Sequence, residues 1–322
     1  MFSKTLSATV LLLVAAGLMN AGEKFSVDSD HSTVGFEVGL GGMIKVDGKL
    51  DDVDGTILYD EADLTKSSVT ALMPLKGIDT GSGQRDKDLQ GAQFFDAAHF
   101  PYIIFQSERI EKLGSGYVMF GTLTIHGVTK EVSFPFTWSH KKLSDPWQNT
   151  RIGFEGRLVL NRRDYGVNGP EFWSKAITEN VDILLRISAE IPNMDLFSFP
   201  APQGKKPVGN LLLETINKDG LDAAIRQFKD LKEKKPAEYA FGPGQLNILG
   251  YRLMQHGKNR EALEFMKLNS EEYPKDANMY DSLADAYMAV GDRENAIANY
   301  KKALELNPDI SSSIESLRGL AR

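Results

Sequence analysis

The chain has no cysteine among its 322 residues. Disulfides, thiolate zinc sites, cysteine nucleophiles and a lipidated N-terminal cysteine are therefore excluded. Histidine is scarce too: there are five, none in His-x-His or His-x-x-x-His spacing. His31, near Asp28, reads as a satisfied structural histidine and not as a metal or proton site, and His126-Gly127 reads as a turn pair. The apolar run 6–18 has 13 residues, short of the roughly 20 that span a bilayer core. An excess of basic residues is missing as well. The net charge is −7, and residues 205–322 carry 18 Lys/Arg against 18 Asp/Glu, so the whole deficit lies in residues 1–204. An acidic region without a basic stripe argues against a nucleic-acid partner and against electrostatic docking on anionic lipid.

What is present begins with an export signal. Met1-Phe2-Ser3-Lys4 supplies a positive charge, the apolar run follows, and Asn20-Ala21-Gly22 ends it in small or polar residues. This is the order of a secretory signal peptide with a cut expected after Ala21; an uncleaved membrane anchor is the alternative. With residues 1–21 set aside, the expected destination is a bacterial periplasm. A disulfide-free exported chain must rely on its core, and a mature length of about 300 residues can supply one.

From 22 to 192 the texture is β. Val34, Phe36, Val38 and Leu40 alternate with Thr33, Gly35, Glu37 and Gly39, and the same period of two recurs over 132–138, 151–160 and 181–191. Such alternation marks strands with one buried and one solvated face. Further runs near 44–59, 67–75, 101–110 and 116–125 bring the expected count to eight, separated by turns such as Asp47-Gly48 and Gly114-Ser115-Gly116. Eight antiparallel strands can close into a barrel that holds one ligand. A two-sheet sandwich has the same local pattern, and periodicity does not separate the two.

Residues 193–207 read as a proline-stiffened linker with Pro200, Pro202 and Pro207. Beyond it, 208–322 is helical and repetitive. Leu246, Leu249-Gly250, Leu253, Gly257, Ala262, Met266 and Pro274 recur 34 positions later as Tyr280, Leu283-Ala284, Tyr287, Gly291, Ala296, Tyr300 and Pro308. The period and residue classes resemble the tetratricopeptide repeat (TPR), with the best units at 243–276 and 277–310. A weaker upstream unit carries Gly220, Ala224, Phe228, Leu231 and Pro236, and 310–320 reads as a short closing helix. Such arrays present a groove to a protein partner. Asn247, Arg252, Asn278, Asp281 and Asp285 are the first-helix positions that would line it, a solvated face being the alternative.

Several phrases between 24 and 192 carry a second resemblance. Asp28-Ser29-Asp30-His31-Ser32 precedes Val34 and Phe36. Ile78-Asp79-Thr80, Arg85-Asp86, Leu89, Phe94-Phe95-Asp96, Phe100-Pro101 and Phe105-Gln106-Ser107 form a long central phrase. The hairpin phrase 121–130 and the closing phrase 161–167 complete the set, with Tyr165 where a phenylalanine is usual. Together they resemble the YceI-like family of polyisoprenoid-binding proteins. The resemblance implies an eight-stranded lipocalin-like barrel that binds a polyisoprenoid lipid, a prenyl quinone or related chain, without catalysis, metal or other cofactor.

On that reading the lining candidates are Phe36, Val38, Phe94, Phe95, Phe100, Phe105, Phe120, Phe134, Phe136, Trp138 and Phe154, each with plain core packing as its alternative. Asp79, Arg85 and Asp86 are candidate head-group contacts, or they cap the short helix and tie its loop. Phe172-Trp173 reads as an exposed aromatic loop that touches a membrane or a partner, or as a barrel lid. The expected partners are the lipid, a protein bound through the array, a transiently touched membrane and a second copy of the chain. Two other classes stay open: a structural adaptor with a filled barrel, and a hydrolase or isomerase for an apolar substrate. An open apolar interior, a filled one and a polar pocket with a perturbed carboxylate distinguish the three.

Overall fold

The computed structural model describes residues 22–139 and 141–321; the expected signal segment lies outside them. The β region contains β1 (Glu23–Val27), β2 (Thr33–Leu40), β3 (Ile44–Leu50), β4 (Asp54–Tyr59), β5 (Ser68–Pro74) and β6 (Ile78–Asp79). After helix α1 (Gly83–Gln90) come β7 (Tyr102–Leu113), β8 (Gly116–Ile125), β9 (Val128–Trp138), β10 (Leu143–Ser144) and β11 (Thr150–Asn161). Helix α2 (Glu171–Ala176) then leads into the 15-residue β12 (Ile177–Ile191).

Neighbouring strands pair antiparallel, and the sheet closes because β12 is paired on both edges. One edge runs beside β11 from Thr150↔Ile191 to Asn161↔Asn180. The other takes β1 near Glu190 and β2 from Arg186 to Ile177. β1 and β2 are thus one stave, broken at Ser29–His31, where the Asp28 carboxylate accepts the Asp30 N–H. β3 with β4 and β5 with β6 are broken likewise, so the barrel has eight staves and is not an open sandwich. Beyond the break β6 pairs, among the described residues, only with β3, leaving an opening beside β7 at that end. α1 and the turns of 91–100 cross this gap.

Two apolar clusters fill the barrel ends. One, near the opening, includes Leu75, Phe94, Ile103 and Tyr165; the other holds Phe25, Tyr59, Phe134 and Ile152.

The helical region comprises α3 (Val208–Asp219), α4 (Leu221–Lys234), α5 (Pro243–Gln255), α6 (Asn259–Glu272), α7 (Ala277–Ala289), α8 (Arg293–Leu306) and α9 (Ser311–Ala321). The expected repeat units are the pairs α5/α6 and α7/α8. Their crossings are close because Ala262, Ala284, Ala296 and Ala303 are completely buried. A Cβ added to Gly250 would stand 2.6 Å from Met266 Cε. α3/α4 forms the upstream pair around Ala224 and Phe228.

The array packs against the barrel. α9 covers the outer faces of β4 and β5, where Thr70 Oγ1 donates to Glu315 Oε2 at 2.6 Å and Ser311 Oγ donates to Asp54 Oδ1 at 3.1 Å. The Arg318 guanidinium reaches Thr70 Oγ1 at 3.0 Å and the Ser107 carbonyl. Thr56 and Thr70 are polar, as outward strand positions should be, yet they are buried beneath this helix. The linker is strapped to α5: the Arg252 guanidinium donates to the carbonyls of Met194 at 2.9 Å and Phe197 at 2.7 Å. Phe199 enters the helical core.

Candidate functional site

Inward alternation on eight staves leaves a hollow in two adjoining parts. An outer chamber of ≈ 800 Å³ lies under α1 and the 91–95 turn. An inner chamber of ≈ 170 Å³ continues toward the far end. Val34, Leu50, Ile103, Ile125, Leu160 and Ile183 border both, so the two adjoin across shared apolar walls and together make up the barrel's passage, apolar within and partly polar under α1. Tyr59 closes the far end, its ring centroid 5.7 Å from Phe25 and 5.6 Å from Trp138. The combined size falls within the range of small-molecule pockets, about 300–1,000 Å³.

Phe36, Val38, Phe94 and Phe95 line the outer chamber. Phe105, Phe134, Phe136 and Phe154 line the inner one. Gly48 sits directly under the Phe36 ring, where an added Cβ would meet Cζ at 2.2 Å, so glycine is needed for Phe36 to lie across the pleat.

Three lining expectations need correction. Phe120 is on the outer face of β8, with the Arg109 guanidinium 3.8 Å from its ring centroid; the inward residues there are Met119, Leu123 and Ile125. Phe100 packs against the β8–β9 turn, 5.1 Å from the His126 ring and close over Gly127. Trp138 belongs to the plug around Tyr59 and does not border either chamber.

The polar residues at the opening hold one another. Asp86 Oδ1 accepts from Thr80 N at 2.9 Å and Oγ1 at 2.6 Å, and Arg85 donates through Nε to Thr80 Oγ1 at 2.7 Å. Arg85 also borders the outer chamber. Asp79 accepts from Gly81 N at 2.9 Å and lies outside the lining. These contacts fix the turn before α1 and set where the entrance is.

Arg162 lies within the closing phrase 161–167, which assigns it no role. Its buried guanidinium lies beside the outer chamber and donates to the carbonyls of Val167 and Asn168 at 2.8 Å, Thr178 at 2.9 Å, Ile177 at 3.0 Å and Ser174 at 3.1 Å. Burial pushes its pKa down. Only tertiary contact reveals this job: one side chain stitches the turn after β11, helix α2 and the start of β12 into a single rim.

The candidate groove residues of the array have largely internal partners. Arg252 holds the linker. Asp285 Oδ1 lies 2.9 Å from Lys24 Nζ on β1, and Asp281 accepts from Ser313 Oγ at 2.6 Å. Asn247 is half-buried and Asn278 is exposed. An open groove was expected along these positions; the chain's own barrel, linker and α9 stand there instead, because Lys24 on β1 supplies a cation for Asp281 and Asp285, Ser313 on α9 a hydroxyl for Asp281, and the linker carbonyls for Arg252.

Comparison with known proteins agrees with this division. The YceI-like domain model matches residues 25–189, and a tetratricopeptide repeat model matches 277–310. A UPF0312 protein of Yersinia pestis (strain Pestoides F) is 30% identical over 170 residues, covering 52% of this chain and 88% of the relative. A UPF0312 protein of Serratia proteamaculans (strain 568) is 32% identical over 165 residues, covering 50% and 84%. Among solved structures, Burkholderia cenocepacia BcnA is similar at 22% identity and TM-score 0.46, covering 50% of this chain and 98% of that one. A polyisoprenoid binding domain from Saccharophagus degradans, described as implicated in plant cell wall breakdown, is similar at 17% identity and TM-score 0.42, covering 52% and 98%.

Proposed function

The chain belongs to the YceI-like family, and from that premise we propose that its barrel holds a polyisoprenoid lipid, a prenyl quinone or similar chain, without chemical change to it. The observation that carries this reading is the largely apolar hollow of the barrel, an outer chamber under α1 with an inner one adjoining it on the side of the aromatic plug at Tyr59. A filled interior would have favoured the adaptor. Each buried CH₂ contributes roughly 0.8 kcal/mol, so a five-carbon unit contributes about 3–4 kcal/mol before ordering costs. An enzyme would need a nucleophile–base pair or paired carboxylates facing the passage. The carboxylates that border the hollow are instead set one to each chamber: Asp88, exposed and accepting from Gln84, at the outer one, and exposed Glu155 at the inner one. Arg85 is engaged with Thr80, and this arrangement supports binding over catalysis.

The compartment belongs to the same proposal: export to the periplasm, where a water-insoluble chain needs a carrier or a sink. Detection of a mature N-terminus at Gly22 in an envelope fraction would support it. The array's role in this reading is to carry the barrel and to meet a protein partner through the surface left exposed around Asn278.

The test is titration of delipidated protein with prenyl quinones of increasing length. Affinity should rise with each added unit until the inner chamber is filled and then level off. No binding at any length would refute the reading.

A further inference from the structure

The passage ends in a rim that is apolar on its outside as well. Four of the exposed large apolar side chains project there: Met43 at 82% exposure, Ile44 at 59%, Phe172 at 75% and Trp173 at 44%. They come from two segments far apart in the chain, the β2–β3 turn and the six-residue α2. The segments are tied together, because Gly41 N donates to the Ala176 carbonyl at 2.7 Å and Leu40 pairs with Ile177. Gly41 and Gly42 both have positive φ, 61° and 67°, and this sharp turn is what makes Met43 project. Phe172 and Trp173 are stacked edge to face at 5.3 Å. The carbonyl cradle of Arg162 holds α2 in place from beneath.

Leu40 and Trp173 also border the outer chamber. The apolar surface therefore runs without a break from the inside of the passage, over its lip, to the projecting side chains. Contiguous exposed apolar groups of this kind mark interaction sites, and tryptophan is suited to a membrane–water boundary. The charges around the rim occur as opposed pairs: Lys175 with Glu171 at 3.2 Å, and Lys45 with Glu37. Such a rim has no net positive field for anionic head groups to meet.

We propose that this rim is a docking face for a lipid bilayer, through which cargo passes between membrane and barrel without crossing water. The proposal rests on the lipid-binding reading of the cavity, because a passage that takes up a water-insoluble chain must open where that chain resides. A protein seated on the rim would close the passage, whereas a bilayer surface extends it. Docking here is driven by apolar insertion and not by charge.

The test is flotation of the mature protein with phosphatidylcholine vesicles, with and without phosphatidylglycerol, at low and high salt. The expected result is co-flotation that changes less than about twofold with either variable. The double variant Met43→Ser, Phe172→Ser should float at least tenfold less, while its affinity for a short, water-soluble prenyl quinone stays within about twofold. Should that variant fold poorly, brominated phosphatidylcholine provides a second readout on the native sequence, where it should quench a tryptophan signal that Trp173→Phe removes. Equal flotation of variant and native protein, or quenching unaffected by Trp173→Phe, would overturn the proposal. Absence of flotation with intact quinone binding would overturn it and leave the cavity reading standing, and a dimer joined through the rim in place of flotation would do the same. Flotation through the rim without quinone binding would keep the docking face and remove the cavity reading.

Discussion

Lys24 Nζ, on the first strand of the barrel, lies 2.9 Å from Asp285 Oδ1 on α7, 261 positions later in the chain. Tyr251 Oη and Tyr300 Oη donate to the same carboxylate at 2.9 and 2.5 Å, and Asp281 Oδ2 is 3.7 Å from the ammonium. Burial works against the Lys24 charge, but Asp281 and Asp285 outweigh it and raise its pKa above 10.5. At Asp281 burial wins over Lys24, and the carboxyl is raised above 3.8. Two carboxylates share one cation at the seam between barrel and array.

Removing that cation should therefore loosen the seam. Lys24→Met is expected to destabilise the protein by about 3 kcal/mol, since breaking a buried pair leaves its partners uncompensated. Calorimetry should show the native protein melting in one transition and the variant in two, with the array and barrel separating. The Lys24 contribution is fully present below pH 10.5 and is lost as pH rises through its raised folded value.

At the plugged end Arg151 joins three carboxylates: Asp145 at 2.7 Å, Glu190 at 2.6 Å, and Asp28. Burial would raise the pKa of Asp28 and of Asp145, but hydrogen bonds from Arg151, joined by His31 at Asp28 and Asn149 at Asp145, lower both below 3.8. Stability from these two is present above 3.8 and should fall as pH drops through their depressed values, because the unfolded chain binds protons first. Glu190 opposes this weakly, raised above 4.5 by burial. Urea melts between about pH 4 and 2 should show a steep loss for the native protein and a shallower slope for Arg151→Met.

Blocking the inner chamber should act on ligand length. Ala71 lines it opposite Phe105 on the neighbouring strand. Ala71→Phe should exclude about one five-carbon unit, weakening long prenyl quinones by up to ~100-fold and short ones by less than about threefold. Equal loss at all lengths in the same titration would mean a disturbed fold or a different binding mode.

Phe120→Ser supplies the matching control. The ring lies outside, under Arg109, so the substitution should cost less than about 1 kcal/mol and leave quinone affinity unchanged. A large loss of affinity would put Phe120 back in the lining.

The Phe120 case shows what the sequence carries and what it does not. Alternation located all eight staves, although the turn expected at Asp47-Gly48 lies inside β3, paired with Glu37 and Phe36, and the 34-residue period located both repeat pairs. On β8, however, apolar residues occupy both parities: Val118 and Phe120 face out while Met119, Leu123 and Ile125 face in. Choosing the face requires the partner strands, and a bulge between Ser107 and Arg109 shifts the β7 register there. Phe36, Phe94 and Phe95 were legible in the cavity because the signature phrases marked them, and Val38 because it continues the alternation of β2. The seam was not, because Lys24, Thr70, Asp285 and Glu315 look like solvated polar positions until the two halves of the chain are brought together.

Native mass spectrometry of the protein purified from the cells that make it, followed by organic extraction, tests most directly whether the barrel carries a lipid. The account predicts one polyprenyl species per chain, released with the fold intact. An empty protein that also takes up no added prenyl quinone would contradict it.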